Sequence, residues 1–412
     1  MIPGGVRVWS CPIVRTAFVS TYPPRRCGIA TFTHDLASAT GLREIVALDP
    51  PDQCDPYPGE VHHRIRRDVL GDYLATARAL GRCVDLVSIQ HEFGIWGGED
   101  GGRVLDFVRA LEVPAVATLH TVLRRPTPSQ RRILSELVGA AAATVVMSTS
   151  AVALLAHAYD IDPEQIEVIP HGVPDLPLVE PDTVKPSLGQ EDRRVLLSFG
   201  LLGPGKGYEL AIDAMPAVVR AIPSAHYVVL GATHPELIRS EGEAYRHRLV
   251  ARADELGMSE HVQFVDRFVG KVELARWLEA ADVFVTPYPN LDQIVSGTLS
   301  YAMGAGKPAV STPYAYAVEI LADGRGLIVP AGSTDGMAKA LISLLGNRDL
   351  RTAIGRRAYA HGRQMIWSEV GAAYRRLFDR VVAGPPARRG PVFGLPTPTG
   401  GLRLAQMGAI DA

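Results

Sequence analysis

The 412-residue sequence has little of what several functional classes require. Its four cysteines, Cys11, Cys27, Cys54 and Cys83, lie near the start and form no CxxC pair. That spacing excludes a zinc knuckle or a redox motif, and free thiols are expected. No sign of charge predominates: 42 Lys and Arg stand against 44 Asp and Glu, for a net charge of −2. General nucleic-acid binding would require a basic surface, so no nucleic acid is expected as a partner. Long apolar runs are also missing. The best candidate, Leu137 to Val146, is about half of what a bilayer span needs. The opening MIPGGVRVWSCPIVRTAFVS has no apolar core of a secretory leader, and a cytoplasmic location is the expectation. Asp35, Glu92 and Glu319 show no HExxH-like or paired-ligand spacing, and no GxSxG elbow occurs. The DxD of Asp160-Ile161-Asp162 reads as a helix start in an Asp-Pro turn. Neither a metal nor a cofactor is expected.

What is present is alternation. Short apolar runs at Val14–Ser20, Asp85–Gln90, Ala115–Leu119, Thr144–Met147 and Ile166–Ile169 predict buried strands, with amphipathic segments such as Ala30–Ala39 and Gly102–Leu111 between them. The aperiodic stretch Pro174 to Arg193 reads as a linker. The pattern then restarts with strands predicted at Arg194–Phe199, His226–Leu230, Val262–Phe264, Val283–Val285, Ala309–Ser311 and Leu327–Val329. Helices are predicted at Tyr208–Ala221, Glu243–Leu256, Lys271–Ala280 and Gly297–Ala305. Two α/β domains of the doubly wound, Rossmann-like kind follow from this order. Ligands of such sheets bind beyond the carboxyl ends of the strands.

Six loops at those ends carry candidate chemistry. Gly28, in Arg25-Arg26-Cys27-Gly28, opens a helix whose N–H groups could meet a phosphate, or it is a structural turn. His91, Glu92, Phe93 and Trp96 lie in a glycine-rich loop ending at Gly102, suited to close over a ligand with an exposed aromatic on a sugar face. His120 ends a strand, where a neutral imidazole can hold a sugar hydroxyl or be a satisfied core residue. His171 ends the last strand of the first half, where it could only turn the chain. Lys206, in Gly203-Pro204-Gly205-Lys206-Gly207, is placed to neutralise a diphosphate, although the spacing is not that of a Walker A loop. Ser296 can cap the next helix and leave the N–H groups of Gly297 and Thr298 aimed at an anion, and Arg267 could complete a clamp with Lys206. Arg124 and Arg125 suit an anionic acceptor or weak peripheral contact with a membrane surface, and equally a solvated helix start.

The order of glycine loop, strand-end histidine, GxLxxxKG, Pro-Tyr and Ala302-Met303-Gly304-Ala305-Gly306-Lys307-Pro308 resembles the retaining GT-B glycosyltransferases of family four, from about Val14 to Val382. The resemblance implies a GT-B architecture: an N-terminal extension (1–13), an acceptor-binding domain (14–180), a linker (181–193), a donor-binding domain (194–364), a crossover helix (365–383) beginning near Trp367, and a disordered tail (384–412). It implies transfer of a hexosyl group, mannose or glucose, from a nucleotide sugar to a carbohydrate or related acceptor, with retention and without a metal. His120, Lys206 and Arg267 would be catalytic. Gly28, Lys206, Arg267, Gln293, Ser296, Gly297, Thr298 and Tyr301 would bind the donor, and His91, Glu92, Phe93, Trp96, Arg124 and Arg125 the acceptor.

The sequence also departs from the family. The two glutamates of the family's E-x7-E fall at Gln293 and Tyr301, and its arginine beside the glycine of the Lys206 loop is Leu201. The first glutamate normally contacts the donor sugar and the second the ribose. A subgroup with similar Q-x-x-SGTL-x-YA-x-GAGK and QHEFGI-x-GGEDG stretches shares the departure. A phosphorylase-like enzyme using a sugar phosphate or non-nucleotide donor, and a sugar- or nucleotide-binding protein without turnover, are the alternatives.

Overall fold

The computed structural model describes residues 14–42, 44–50 and 56–384. The expected extension 1–13, the tail beyond Gly384, and Cys11 and Cys54 lie outside the described residues. The N-terminal half forms a seven-stranded parallel sheet: β1 (Thr16–Ser20), β2 (Glu44–Asp49), β3 (Val61–Arg66), β4 (Leu86–His91), β5 (Ala115–Leu119), β6 (Ala143–Val146) and β7 (Ile166–Val168), in the order β3-β2-β1-β4-β5-β6-β7. The C-terminal half forms a six-stranded parallel sheet: β8 (Arg194–Phe199), β9 (Ala225–Leu230), β10 (Val262–Val265), β11 (Val283–Thr286), β12 (Ala309–Ser311) and β13 (Gly326–Ile328), in the order β10-β9-β8-β11-β12-β13. In both halves the chain reverses its winding beside the first strand, which is where a crevice opens in such folds.

Burial explains why some strands were legible. All residues of β1, β4 and β5 are buried, since helices cover both faces, so they read as apolar runs. By contrast β3, Val-His-His-Arg-Ile-Arg, is an edge strand with only Ile65 buried, and no apolar run announces it. The apolar stretch Leu137–Val146 divides between the end of helix Pro128–Ala140 and strand β6. The DxD residues also divide. Asp160 ends helix Thr149–Tyr159 in a left-handed conformation, while Asp162 starts a single 3₁₀ turn by accepting from the Glu164 N–H at 2.9 Å.

The segment after β7 belongs physically to the C-terminal half. Lys185 is fully buried, with its ammonium 2.6 Å from Asp182 and 2.8 Å from Asp282, and Leu176 and Leu188 pack on the C-terminal core. The chain crosses between domains at Val173, whose N–H bonds the Met365 carbonyl at 2.8 Å and whose carbonyl accepts from the Trp367 N–H at 3.0 Å. Helix Trp367–Ala383 then returns to the N-terminal domain. Val370, Tyr374, Leu377 and Phe378 join a core with Phe18, Phe32 and Leu36, and the Tyr374 hydroxyl meets Thr118 Oγ1 at 3.0 Å. Gly371 packs directly on helix Gly28–Thr40, where a Cβ would lie 2.6 Å from the Ala39 carbonyl oxygen.

Candidate active site

Residues beyond the carboxyl ends of one sheet touch residues beyond those of the other. Ser148 Oγ, after β6, donates to the Ile294 carbonyl at 2.8 Å. The N–H groups of Thr149 and Ser150, at a helix N-terminus, are capped across the boundary by Glu319 at 2.8 and 2.9 Å. Arg124 pairs with Asp292 at 2.6 Å, and Lys271 pairs with the buried Asp35 of helix Gly28–Thr40. The two strand-end surfaces therefore form one crevice.

On the N-terminal wall, helix Gly28–Thr40 starts at a turn capped by Cys27, whose sulfur accepts from the Ala30 N–H at 3.3 Å. Gly28 is exposed, and a Cβ there would meet nothing within 4 Å, so the helix N-terminus is unobstructed. Phe32 on this helix gathers three rings edge-on: His120 at 4.9 Å, His171 at 5.2 Å and Trp367 at 5.3 Å. His120 Nε2 meets Gln90 Oε1 at 2.8 Å; since an amide oxygen only accepts, that nitrogen carries the proton. Burial, reinforced by the neighbouring His171 and His91, lowers the His120 pKa to about 3. The imidazole is thus neutral, leaving Nδ1 as an acceptor. His171 is lowered to about 4 by burial, against the opposing effects of its bond to the Gly172 carbonyl and of Asp35.

The C-terminal wall carries the positive charge. Lys206 lies 4.5 Å above the Tyr288 ring and 3.4 Å from its hydroxyl. That hydroxyl meets Thr298 Oγ1 at 2.8 Å, and Thr298 meets Ser296 Oγ at 3.2 Å. Ser296 caps helix Gly297–Gly304 by accepting from the Leu299 N–H at 3.3 Å. Tyr288 itself is fixed by stacking on Tyr314 at 5.1 Å. One ammonium, three hydroxyls and a helix N-terminus are thereby chained together. Their neighbours Gly297 and His171 connect the walls, because a Cβ on Gly297 would lie 2.8 Å from His171 Nε2. At the crevice mouth the loops of Arg25 and Lys206 converge on His234: burial first, then the charges of Lys206, Arg239 and Arg25, lower its pKa against the pull of Glu236.

Other expected site residues are placed differently. His91, Phe93 and Trp96 are buried, at 0%, 8% and 2% exposure, and cannot stack on a sugar. Trp96 donates to the Gln90 carbonyl at 3.0 Å and lies against Tyr73, and Phe93 meets the His91 ring edge-on at 5.0 Å. The glycines of the loop fold it inward rather than freeing it. A Cβ on Gly97 would lie 1.8 Å from the Arg67 carbonyl oxygen, and Gly101 has φ +76° with the Phe93 carbonyl beneath it. Glu92 alone of the four remains accessible, with one oxygen accepting from the Gly94 N–H at 2.8 Å. Burial raises its pKa against that bond and the nearby Arg25.

Arg267 does not join Lys206 in this structure; its guanidinium forks onto Glu273 at the surface. Gln293 turns its amide onto the Val295 carbonyl at 2.7 Å. Tyr301 is wedged between His171 and Phe199, with centroids 6.1 and 6.0 Å away, and burial and the Asp35 carboxylate raise its pKa. The negative charge absent from position 301 thus stands beside it, on the other domain, as Asp35. Arg124 is engaged with Asp292, and Arg125 is exposed. The stretch after Arg125 starts a helix through a reciprocal capping box of Thr127 and Gln130. Asp35 and Lys271 were not legible as site residues because they pair across the domain boundary, and Phe32 was not because the rings it gathers are distant in the chain. His171 carried a signal, its place at the end of a strand.

Among the described residues, no group of three or more His, Cys, Asp or Glu stands together that could hold a metal ion. None of the described helices is long and apolar enough to cross a membrane.

Comparison with known proteins agrees with this geometry. Residues 28–175 match the family model for Glycosyltransferase Family 4, and residues 180–361 match that for glycosyl transferases group 1. The chain is 26% identical over 305 residues to D-inositol 3-phosphate glycosyltransferase of Corynebacterium glutamicum, covering 69% of this chain and 70% of that one. It is 30% identical over 183 residues to phosphatidyl-myo-inositol mannosyltransferase of Mycobacterium leprae, covering 43% and 44%. Among solved structures, Anabaena HepE in complex with UDP superposes with a TM-score of 0.71 at 16% identity, covering 89% of this chain and 99% of that one. Sucrose-phosphate synthase from Thermosynechococcus elongatus superposes with a TM-score of 0.72 at 16% identity, covering 90% and 99%. With both halves matched and the two-domain GT-B fold shared, the chain belongs to the family-four glycosyltransferases.

Proposed function

We propose that the protein is a retaining hexosyltransferase that takes a glucosyl or mannosyl group from a nucleotide sugar and delivers it, without a metal, to a carbohydrate or anionic acceptor. The observation that carries this reading is the chain of Lys206, Tyr288, Thr298 and Ser296 at the N-terminus of helix Gly297–Gly304. Negative charge grows on a departing diphosphate, and a preset ammonium with free helix N–H groups stabilises it most in the transition state. The unobstructed start of helix Gly28–Thr40 supplies a second set of N–H donors from the other wall. His120, neutral and with Nδ1 free to accept, is suited to hold a sugar hydroxyl. Glu92, at the accessible edge of its loop, is suited to an acceptor hydroxyl. The names of the relatives, which act on inositol phosphate or phosphatidylinositol, support an anionic acceptor, and HepE's complexes with UDP and UDP-glucose support a nucleotide donor.

One observation favours a second reading. Tyr301 is packed among rings where the family has its ribose-binding carboxylate, so a sugar phosphate without a nucleoside would suit the same cations. Thermal-shift titration with UDP, GDP, ADP, their hexose conjugates and hexose 1-phosphates, with and without EDTA, separates the two. A shift from one nucleotide sugar, unaffected by EDTA and lost in Lys206→Ala, is the expected result. A response to hexose 1-phosphates alone would replace the first reading by the second. Product anomeric configuration, read by NMR, tests retention.

A further inference from the structure

A cavity of about 290 Å³ lies away from the crevice. Arg194 opens β8, Asp282 precedes β11 and Lys307 precedes β12, so the cavity sits at the amino ends of these parallel strands. The crevice lies at their carboxyl ends. The remaining wall comes from the segment around Glu180 and Asp182 and from helix Arg348–Gly362.

The charges of this cavity do not balance. Its three carboxylates are already met by cations: Glu180 by Arg348 at 3.1 Å, and Asp182 and Asp282 by Lys185 at 2.6 and 2.8 Å and by Arg194 at 3.6 and 3.7 Å. Lys307, Arg351 and Arg356 line the same space, and no carboxylate among the described residues lies within ion-pair distance of them. Lys307 is only 3% exposed and donates to one group, the Glu279 carbonyl, at 2.7 Å, although an ammonium has three protons to give. Burial lowers its pKa to about 8, Lys185 adding to this while Asp282, Glu279 and Glu180 oppose it. Arg351 spends one nitrogen, Nη1, on the Leu344 and Leu345 carbonyls at 2.7 Å each. Arg356 is exposed and makes no hydrogen bond or ion pair among the described residues. A buried amine beside two guanidinium forks is a donor set matched to phosphoryl oxygens.

We infer that this cavity is a second ligand site, separate from the donor crevice, that takes a phosphoryl group either free or on a molecule of monosaccharide size. The volume is at the lower end of the roughly 300–1,000 Å³ found for ligand sites, which suits a hexose phosphate and excludes a whole nucleotide sugar. One helix lies between the site and the crevice. Helix Gly297–Gly304 has its N-terminus at the Lys206 cluster and runs toward Gly306 and Lys307 in the cavity wall, about 12 Å of helix at 1.5 Å per residue.

The test is isothermal titration of the full chain with inorganic phosphate, a hexose 6-phosphate, the neutral hexose, and sulfate and chloride at matched ionic strength. Lys206→Ala, Lys307→Met and Arg356→Ala are titrated in parallel. One phosphate or hexose phosphate is expected to bind per chain, with affinity unchanged in Lys206→Ala. Binding is expected to be about tenfold weaker or more in Arg356→Ala, the loss of one charge-assisted contact, and in Lys307→Met. Arg356 is exposed, so its removal leaves the fold intact even if Lys307→Met does not. Tighter binding of the hexose phosphate than of phosphate identifies the sugar-bearing ligand; equal binding identifies the free anion. Absence of binding, equal heats from all salts, or binding lost in Lys206→Ala but kept in Arg356→Ala would overturn the site. The last outcome would assign the phosphate to the donor crevice and leave the proposed transfer standing.

Discussion

Both halves of the molecule wind a parallel sheet in the same strand order, yet they bring opposite kinds of group to the crevice. The N-terminal half brings imidazoles. His91, His120 and His171 end or follow β4, β5 and β7, and burial lowers all three, to about 4, 3 and 4. The C-terminal half brings an ammonium braced on an aromatic ring, with hydroxyls and a helix N-terminus around it. The difference lies in solvation. Glycine turns in the first half fold the loop after β4 back on the core, and burial there and around Phe32 desolvates the three imidazoles and keeps them neutral. The short turn after β8 keeps Lys206 partly accessible. A crevice with neutral imidazoles on one wall and an ammonium on the other can hold sugar hydroxyls on one side and phosphates on the other.

The comparison can be broken most directly at Lys206. Lys206→Ala is expected to lower kcat about 10²–10³-fold while the melting temperature stays unchanged. Steady-state kinetics beside a thermal melt would check this, and a change confined to KM would mean that the ammonium does not follow charge into the transition state. On the other wall the expected effect is on folding. Gly97→Ala forces a methyl into the Arg67 carbonyl and should cost about 3 kcal/mol by urea unfolding. An undisturbed midpoint would show that the loop after β4 is free rather than packed.

The histidines sharpen the contrast through pH. Their folded pKa values lie below the unfolded value of about 6.5, so the native state binds fewer protons than the unfolded chain. Their contribution is therefore complete above pH 6.5 and is lost as pH falls toward 4, with a slope of up to about 1.4 kcal/mol per pH unit for each imidazole. His91 has no partner for either nitrogen among the described residues. His91→Leu should therefore flatten the acid limb of a stability–pH curve and change stability at pH 8 by no more than about 1 kcal/mol. An unaltered acid limb would deny that this imidazole is held neutral. The smallest effect is expected at the rim: Arg124 and Asp292 are 55% and 44% exposed, and Arg124→Ala should change stability by less than about 0.5 kcal/mol in a chemical melt.

Legibility in the sequence followed apolar runs, which coincided with burial on two faces in some strands and not in others. The fully buried strands β1, β4 and β5 stood out as apolar runs and the polar edge strand β3 did not, whereas β2 was missed although five of its six residues are buried and Ile45 to Leu48 are apolar. Helix Thr149–Tyr159 was missed because an almost uniformly apolar run carries no 3.6-residue periodicity. Ser296 and Lys206 were legible because a cap and a glycine-flanked lysine act through their immediate neighbours. Trp96 was misread for a physical reason: glycines around an aromatic signal a mobile loop equally well as a tight fold-back. Only the position of Arg67 decides between these at Gly97. Arg267 was expected beside Lys206, but its guanidinium pairs with Glu273, six residues on.

By itself the sequence determined two parallel α/β domains, the strand ends that face the crevice, and the cationic loop at Lys206, all of which depend on local periodicity and turn chemistry. Tertiary structure alone decided which of those residues meet: Phe32 among three rings, Asp35 beside Lys271 and Tyr301, Glu319 on the N–H groups of Thr149 and Ser150, and the unbalanced charges around Lys307. Such contacts join residues far apart in the chain, and their energies depend on separation and desolvation, which no spacing in the chain records.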